Sequence, residues 1–298
     1  GNPNLMDIDG LFSLTTVGDT LTMSLHPNLC ETDPTDLLEH LTEVGSRPTY
    51  PYFNENTGPC DNDDDGFSDA VDCDDGDPDI YPAATEIMDD GIVQDCNGSD
   101  LITCEGSYMV DFMDATNCGI ITGSLEILDG DDLTEFASLR TVEGNLWIEE
   151  QSEISALSLP ELTTVSGMFY ISYNSGLTSL SFPKLTSIGN AFSISAHDEA
   201  LTVIDFPSLV DVGSGFYVQA NPSLPSFSFD ALTTVEGVLK ISLNDRLTSF
   251  SFASLETVDG YVTVEENGKL CTGFVHAFFE TIAAGAGGLY ESGNNDDC

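Results

Sequence analysis

The sequence predicts an all-β solenoid of short parallel strands wound into stacked coils, with short capping helices and one irregular acidic segment. Three observations predict it. Aliphatic residues recur at Val142, Val165, Ile188, Val212, Val235 and Val258, spaced 23, 23, 24, 23 and 23 residues apart, and a period in the twenties marks a solenoid. After a glycine, each unit carries a short apolar alternation: "NLWIE", "MFYIS", "FYVQA", "VLKIS", "YVTVE". Nine residues after each aliphatic stand Gln151, Asn174, His197, Asn221, Asn244 and Asn267, a polar column in fixed register.

The alternations have the period of two that strands have, and a second one follows around Leu177 to Phe182. One coil cannot bury its own apolar face, so coils must stack with like strands side by side. Stacking turns the polar column into a ladder whose side chains satisfy turn backbone and one another. His197, in a ladder slot, is read as structural. A core column runs alongside at Ile154, Leu177, Leu201, Leu224, Leu247 and Leu270.

The N-terminal residues belong to the same series. Val17 is followed by His26, Leu29 and Cys30 at the offsets at which Asn267, Leu270 and Cys271 follow Val258. Each copy then runs through a short helix, "PTDLLEHL" or "FVHAFFETIAAG", to a tail ending at Cys60 or Cys298. His40 and His276 are expected at corresponding places in these helices. The expected domains are 1–60, the last coils and cap of a first solenoid; 61–100, an acidic segment; and 101–298, a complete capped solenoid. Residues 1–30 hold little more than one coil, where about three are needed for stability. Upstream chain or a second copy is therefore expected to stack there, and Gly1 to be a processed terminus or the start of a fragment.

The cysteines, Cys30, Cys60, Cys73, Cys96, Cys104, Cys118, Cys271 and Cys298, include no C-x-x-C pair. Disulfides in an oxidising compartment are favoured over zinc or free thiols. The duplicated caps give Cys30–Cys60 and Cys271–Cys298, each closing a loop of about 30 residues worth about 3 kcal/mol. Cys104–Cys118 and Cys73–Cys96 remain.

The units "LTTVxGxLxISxNxxLTSLSFPxL" and the Cys-bounded caps resemble the receptor L domain, the right-handed β-helix-like, leucine-rich solenoid of growth-factor receptors and of fungal and bacterial surface proteins. The resemblance spans 104–298, and 1–60 as terminal coils plus cap. It implies an extracellular, non-catalytic recognition module.

From Asp61 to Asp100 the chain holds fourteen Asp, one Glu and no Lys or Arg. Asp61, Asp63, Asp65 and Gly66, followed by Phe67, Asp69 and Asp72, read D-x-D-x-D-G with ligands at positions 1, 3, 5, 9 and 12 and a backbone carbonyl at 7. An EF-hand loop wraps six or seven oxygens around calcium in this way, the glycine allowing the sharp turn. Here Asp72 replaces the Glu of position 12, and no helices are expected to flank the loop. Asp72, Asp74, Asp75, Asp77 and Glu86 form a second cluster; Asp90, Gln94, Asp95, Asn97 and Asp100 form a third.

"DCDDGDPDIYPAATE…DDGIVQDCNGSD" is similar to a metal-binding motif of bacterial surface proteins, which in turn looks like thrombospondin type 3 calcium repeats. That family carries Gly at the place of Ala84 and Asp at that of Val93, and some members bind copper. Oxygen donors, with only Met88 and two oxidised cysteines as sulfur, favour a hard cation here. Two or three calcium ions fit the ligands. The plain alternative is a solvated acidic linker, but acidity alone gives no reason for Gly and Cys at these spacings.

A net charge of −46 with six Lys and Arg excludes nucleic acid and disfavours anionic lipid. No apolar run reaches about 18 residues, so no membrane insertion is expected. The four His are scattered, and no G-x-S-x-G, H-E-x-x-H or phosphate loop occurs. No catalysis is expected; Glu149–Glu150 and Glu265–Glu266 leave a polysaccharide-acting enzyme as the remote alternative. The expectation is an extracellular or cell-surface calcium-binding structural or adhesive protein. A calcium-stabilised connector orients its solenoids, and residues 1–30 allow assembly into a filament or array. The alternative is a monomeric module recognising protein or carbohydrate, with Trp147, Phe169, Tyr170, Phe216, Tyr217 and Tyr261 as candidate aromatics, about half of them core.

Overall fold

The structure, a computed structural model, describes residues 4–5, 8–24, 29–30, 33–54, 58–109, 117–127, 136–150, 152, 154–196, 200–282 and 285–298. The expectations for His26, Gln151 and His197 lie outside these residues. The chain forms two compact units, Gly1–Asp100 and Leu101–Cys298.

The second unit is a β-solenoid of about seven turns. Successive coils pair in parallel and in register: Phe169 lies beside Leu146 and Phe192, Phe192 beside Phe216, and Phe216 beside Leu239. Strands of this kind join into one large sheet, while Ala156–Ser158, Ser179–Ser181, Val203–Asp205, Ser226–Ser228 and Ser249–Ser251 form a second sheet of five. Alternation sends Ile148, Ile171, Ile194, Val218, Ile241 and Val264 inward, all fully buried.

In-register stacking at a rung of about 4.8 Å places like residues on like, and phenylalanines fill the middle coils this way. Phe169, Phe192 and Phe216 stack with centroids 5.4 and 4.6 Å apart; Phe182, Phe206 and Phe229 stack beside them at 5.0 and 5.4 Å. The two columns meet edge to face, Phe169 against Phe182 at 4.9 Å and 81°, the arrangement that the ring quadrupole favours. Of the candidate surface aromatics, Phe169 and Phe216 are thus core.

At one corner of each coil, a non-glycine residue turns left-handed: Glu150, Tyr173, Ala196, Ala220, Leu243 and Glu266, with φ of 54–59°. Such a residue costs about 1–2 kcal/mol. After Tyr173, Ala220, Leu243 and Glu266 the following ladder residue offsets that cost by binding the coil before it. Asn174, Asn221, Asn244 and Asn267 are fully buried, and their amides donate to the carbonyls of Ile148, Ile194, Val218 and Ile241 at 3.0–3.1 Å. The ladder ends on Asn294, whose Oδ1 accepts from the Asn267 N–H at 3.2 Å and whose amide donates to Val264 at 2.8 Å. Asn294 escapes the sequence register because the strand pairing slips between Val258 and Tyr261.

Both units contain the same cap. Strand Thr20–Ser24 pairs in parallel with Tyr50–Asn54, as Thr257–Glu265 pairs with Ala286–Ser292. Each pair is connected through an eleven-residue helix, α1 (Asp33–Glu43) or α2 (Thr272–Ile282). Leu37 and Leu41, one helical turn apart, bury α1 against Ile8, Met23 and Leu29. Gly45, at φ 76°, ends it, with the Ser46 N–H reaching back to the Leu41 carbonyl at 2.8 Å. The helix histidines do not correspond, because they stand ten and five residues after Cys30 and Cys271. His40 Nε2 lies 3.2 Å from the Leu14 carbonyl, and His276 faces Glu291 at 3.5 Å.

Candidate metal centre

The acidic segment lies wholly within the first unit. Its disulfide Cys73–Cys96 closes with Cα atoms 5.6 Å apart, and the other pairs are Cys30–Cys60, Cys104–Cys118 and Cys271–Cys298.

Residues 61–72 form a loop built on aspartates turning back onto their own backbone. Asp61 Oδ2 accepts from the Gly66 N–H at 3.1 Å, Asp63 Oδ1 from Asp65 at 3.3 Å, and Asp65 Oδ1 from Phe67 at 2.8 Å. Asp64 and Gly66 take positive φ, 65° and 100°, which lets the backbone curl around the carboxylates. Asp61, Asp63 and Asp65 each bring an oxygen within 4.8 Å of the others. Charges that close repel by about 1 kcal/mol per pair in water and several times that at an effective dielectric near 20.

The second oxygens of these carboxylates are placed differently. Asp63 Oδ2, Asp65 Oδ2 and Asp72 Oδ2 are buried and accept no hydrogen bond. Buried carboxylate oxygens normally find donors. Three lack one, at positions 3, 5 and 12 of a D-x-D-x-D-G loop, and two of them, Asp63 and Asp65, converge with Asp61 as ligands of a metal ion would. Burial pushes the Asp63 carboxyl above the usual carboxylate range, and the charges of Asp65, Asp72 and Asp61 add to this, against the Asp65 hydrogen bond. Asp69 is used otherwise: it exchanges two hydrogen bonds with the Cys60 backbone, at 2.7 and 3.2 Å.

A second loop repeats the first. Asp95 Oδ1 accepts from Asn97 at 3.0 Å and Asn97 Oδ1 from Ser99 at 2.8 Å. Cys96 and Gly98 take the positive φ of Asp64 and Gly66, 60° and 93°. Val93 stands where Asp61 would, so position 1 has no carboxylate. Glu86, 3% exposed, approaches from the side and accepts from the Asp95 N–H at 2.7 Å. Its pKa is raised, chiefly by burial; the Asp95 N–H hydrogen bond opposes that, while the Asp95 side chain and the charges of Asp95 and Asp100 add to it. Asp100 holds the Gly91 N–H with Oδ2 at 2.9 Å and leaves Oδ1 buried without a donor. Asp90 closes a turn to Ile92 and binds the Gln94 amide, both at 2.8 Å.

Asp74 and Asp77 stay exposed. Asp77 caps the Asp79 N–H at 3.2 Å, and neither they nor Glu86, Asp90, Asp95 and Asp100 join a cluster of three or more converging ligand atoms among the described residues. Sequence reasoning did not reach the part of Tyr81, whose ring stacks on Phe67 with centroids 5.3 Å apart and planes 8° apart. Two aromatics fourteen positions apart carry no spacing signal. Asp72, Cys73 and Cys96 also converge, but both sulfurs are in the disulfide. The donors are therefore oxygens, suited to a hard cation and unsuited to a soft one.

No helix among the described residues is long and apolar enough to cross a membrane. Comparison with curated proteins finds no match, nor does comparison with solved structures. Family comparison does find two: residues 117–199 match the family model described as "Receptor L domain", and residues 72–100 match one described as "Putative metal-binding motif".

Proposed function

We propose that this chain is an extracellular, non-catalytic surface module in which calcium organises residues 61–100 and the solenoid of residues 101–298 presents a recognition face. The buried, donorless oxygens of Asp63, Asp65 and Asp72 carry the calcium reading. Millimolar extracellular calcium would fill even a site of about 10⁻⁴–10⁻³ M affinity. In this reading the acidic segment is a connector stiffened by its ion. Calorimetric titration of the metal-free protein with calcium, magnesium and copper tests it. Calcium is expected to bind with the highest affinity, and uptake of copper alone would sink it.

Trp147 and Tyr170 occupy adjacent rungs of the large sheet and Tyr217 lies two rungs on; all three are partly exposed. This row supports a recognition role for that face, toward protein or glycan. Assembly by stacking beyond the C-terminal cap has less support. Glu291 pairs with the inward-facing Val264, and an inward charge on an edge strand discourages further pairing. Stacking on strand Thr20–Ser24 stays part of the proposal, since its only partner among the described residues is Tyr50–Asn54.

A further inference from the structure

The two loops of the acidic segment are wired to each other. Phe67 belongs to the first loop through its N–H bond to Asp65, and its ring lies flat on Tyr81. Tyr81 is strapped to the second loop, its N–H donating to the Gln94 carbonyl at 2.9 Å, while Ala83 donates to the Asp95 carbonyl at 3.3 Å. Asp72, the last ligand position of the first loop, is followed by Cys73, whose disulfide partner Cys96 sits between Asp95 and Asn97. The Asn62 N–H reaches Asp75 at 3.2 Å, closing the first loop onto the chain beyond it.

We propose that the two loops take up calcium with positive cooperativity, the Phe67–Tyr81 stack being the coupling element. The inference rests on the calcium reading above. Without an ion, the like charges of each loop work against the geometry that packs the two together. An ion in the first loop holds Asp63, Asp65 and Asp72 in place, and with them the Phe67 ring and the Cys73 anchor. The second loop is then ordered before its own ion arrives, so less conformational entropy is lost on binding there. Coupling is reciprocal: each loop must raise the other's affinity by the same factor.

Position 7 supplies a backbone carbonyl, so Phe67→Ala removes the stack and leaves every ligand side chain in place. Calcium titration of the full chain is expected to show two sites, a Hill coefficient above 1, and a coupling factor of about 5-fold or more. Asp63→Asn and Asp100→Asn, each disabling one loop, should weaken the other loop equally. Phe67→Ala, and Tyr81→Ala from the other side of the stack, should keep the two-ion stoichiometry and lower the Hill coefficient toward 1. Independent sites in the unaltered protein would overturn cooperativity while leaving the calcium reading intact. Undiminished coupling in both ring variants would overturn the role of the stack. No calcium uptake at all would overturn the reading beneath both.

Discussion

The Oδ1 atom of Asn267 accepts two hydrogen bonds from Asn244, one from its backbone N–H and one from its side-chain amide, each at 3.1 Å. One coil is thereby fastened to the next at the corner where the backbone turns left-handed.

Asn244→Ala should test this fastening. The variant leaves the Val218 carbonyl and the Asn221 N–H without their partner in a buried corner. At about 1–3 kcal/mol for each buried polar group left unsatisfied, the expected loss is about 2–4 kcal/mol. Urea denaturation should show a lower midpoint with an unchanged slope. A loss below about 0.5 kcal/mol, the usual range for surface substitutions, would mean that the ladder is ornamental.

Glycine corners should respond according to their neighbours. A Cβ on Gly213 would lie 2.4 Å from the Gly189 carbonyl oxygen of the adjacent coil, whereas one on Gly268 would meet nothing within 4 Å. Gly213→Ala is expected to cost at least the ~1–3 kcal/mol of an overpacked core, and Gly268→Ala close to nothing. Thermal melts of the two variants side by side check the contrast.

Removing calcium should loosen one segment selectively. Limited proteolysis with a chelator is expected to cut within 61–100 and to spare 136–282. Equal cutting with and without chelator would contradict an ion-held segment.

The metal-free protein should also show an inverted pH response. Asp63 and Glu86 have raised pKa values in the folded chain, so the native state binds more protons than the unfolded one as each titrates. Stability must then fall as pH rises through the window from the ordinary carboxylate range, near 4, up to the raised values. Metal-free protein is expected to melt at progressively lower temperature as pH is stepped upward through that window. With calcium present the trend should reverse, because protons compete with the ion.

Replacing Cys271 and Cys298 together by Ser should lower the stability of the second unit by about 3 kcal/mol, by releasing a loop of 27 residues in the unfolded chain. Chemical denaturation with the remaining disulfides intact measures it.

Periodicity made the solenoid legible. Val142 through Val258, the buried asparagines and the leucine column repeat because each coil must present the same surface to its neighbours. The left-handed corners were not legible: Tyr173 and Leu243 have no sequence mark of positive φ, which tertiary hydrogen bonds impose there. Asn294 was hidden by one slip in strand pairing. In the acidic segment, the aspartate spacing picked out Asp61, Asp63 and Asp65, which the fold brings together, because such positions are fixed by chain geometry. It did not foretell that the Asp69 and Asp77 carboxylates hold the backbone N–H groups of Cys60 and Asp79. The Phe67–Tyr81 stack depends on the folded path of the chain between the two rings, which local pattern does not encode.

The asparagine ladder also makes length a quantised property. From Asn221 to Asn294 each asparagine hands its backbone N–H to the amide oxygen of the next, so a whole period can be duplicated or excised there and the cut faces still match. A deletion one residue short of a period would set every later asparagine against the wrong carbonyl. A solenoid built on this corner can therefore grow and shrink by recombination in steps of one coil, with its C-terminal cap carried along unchanged.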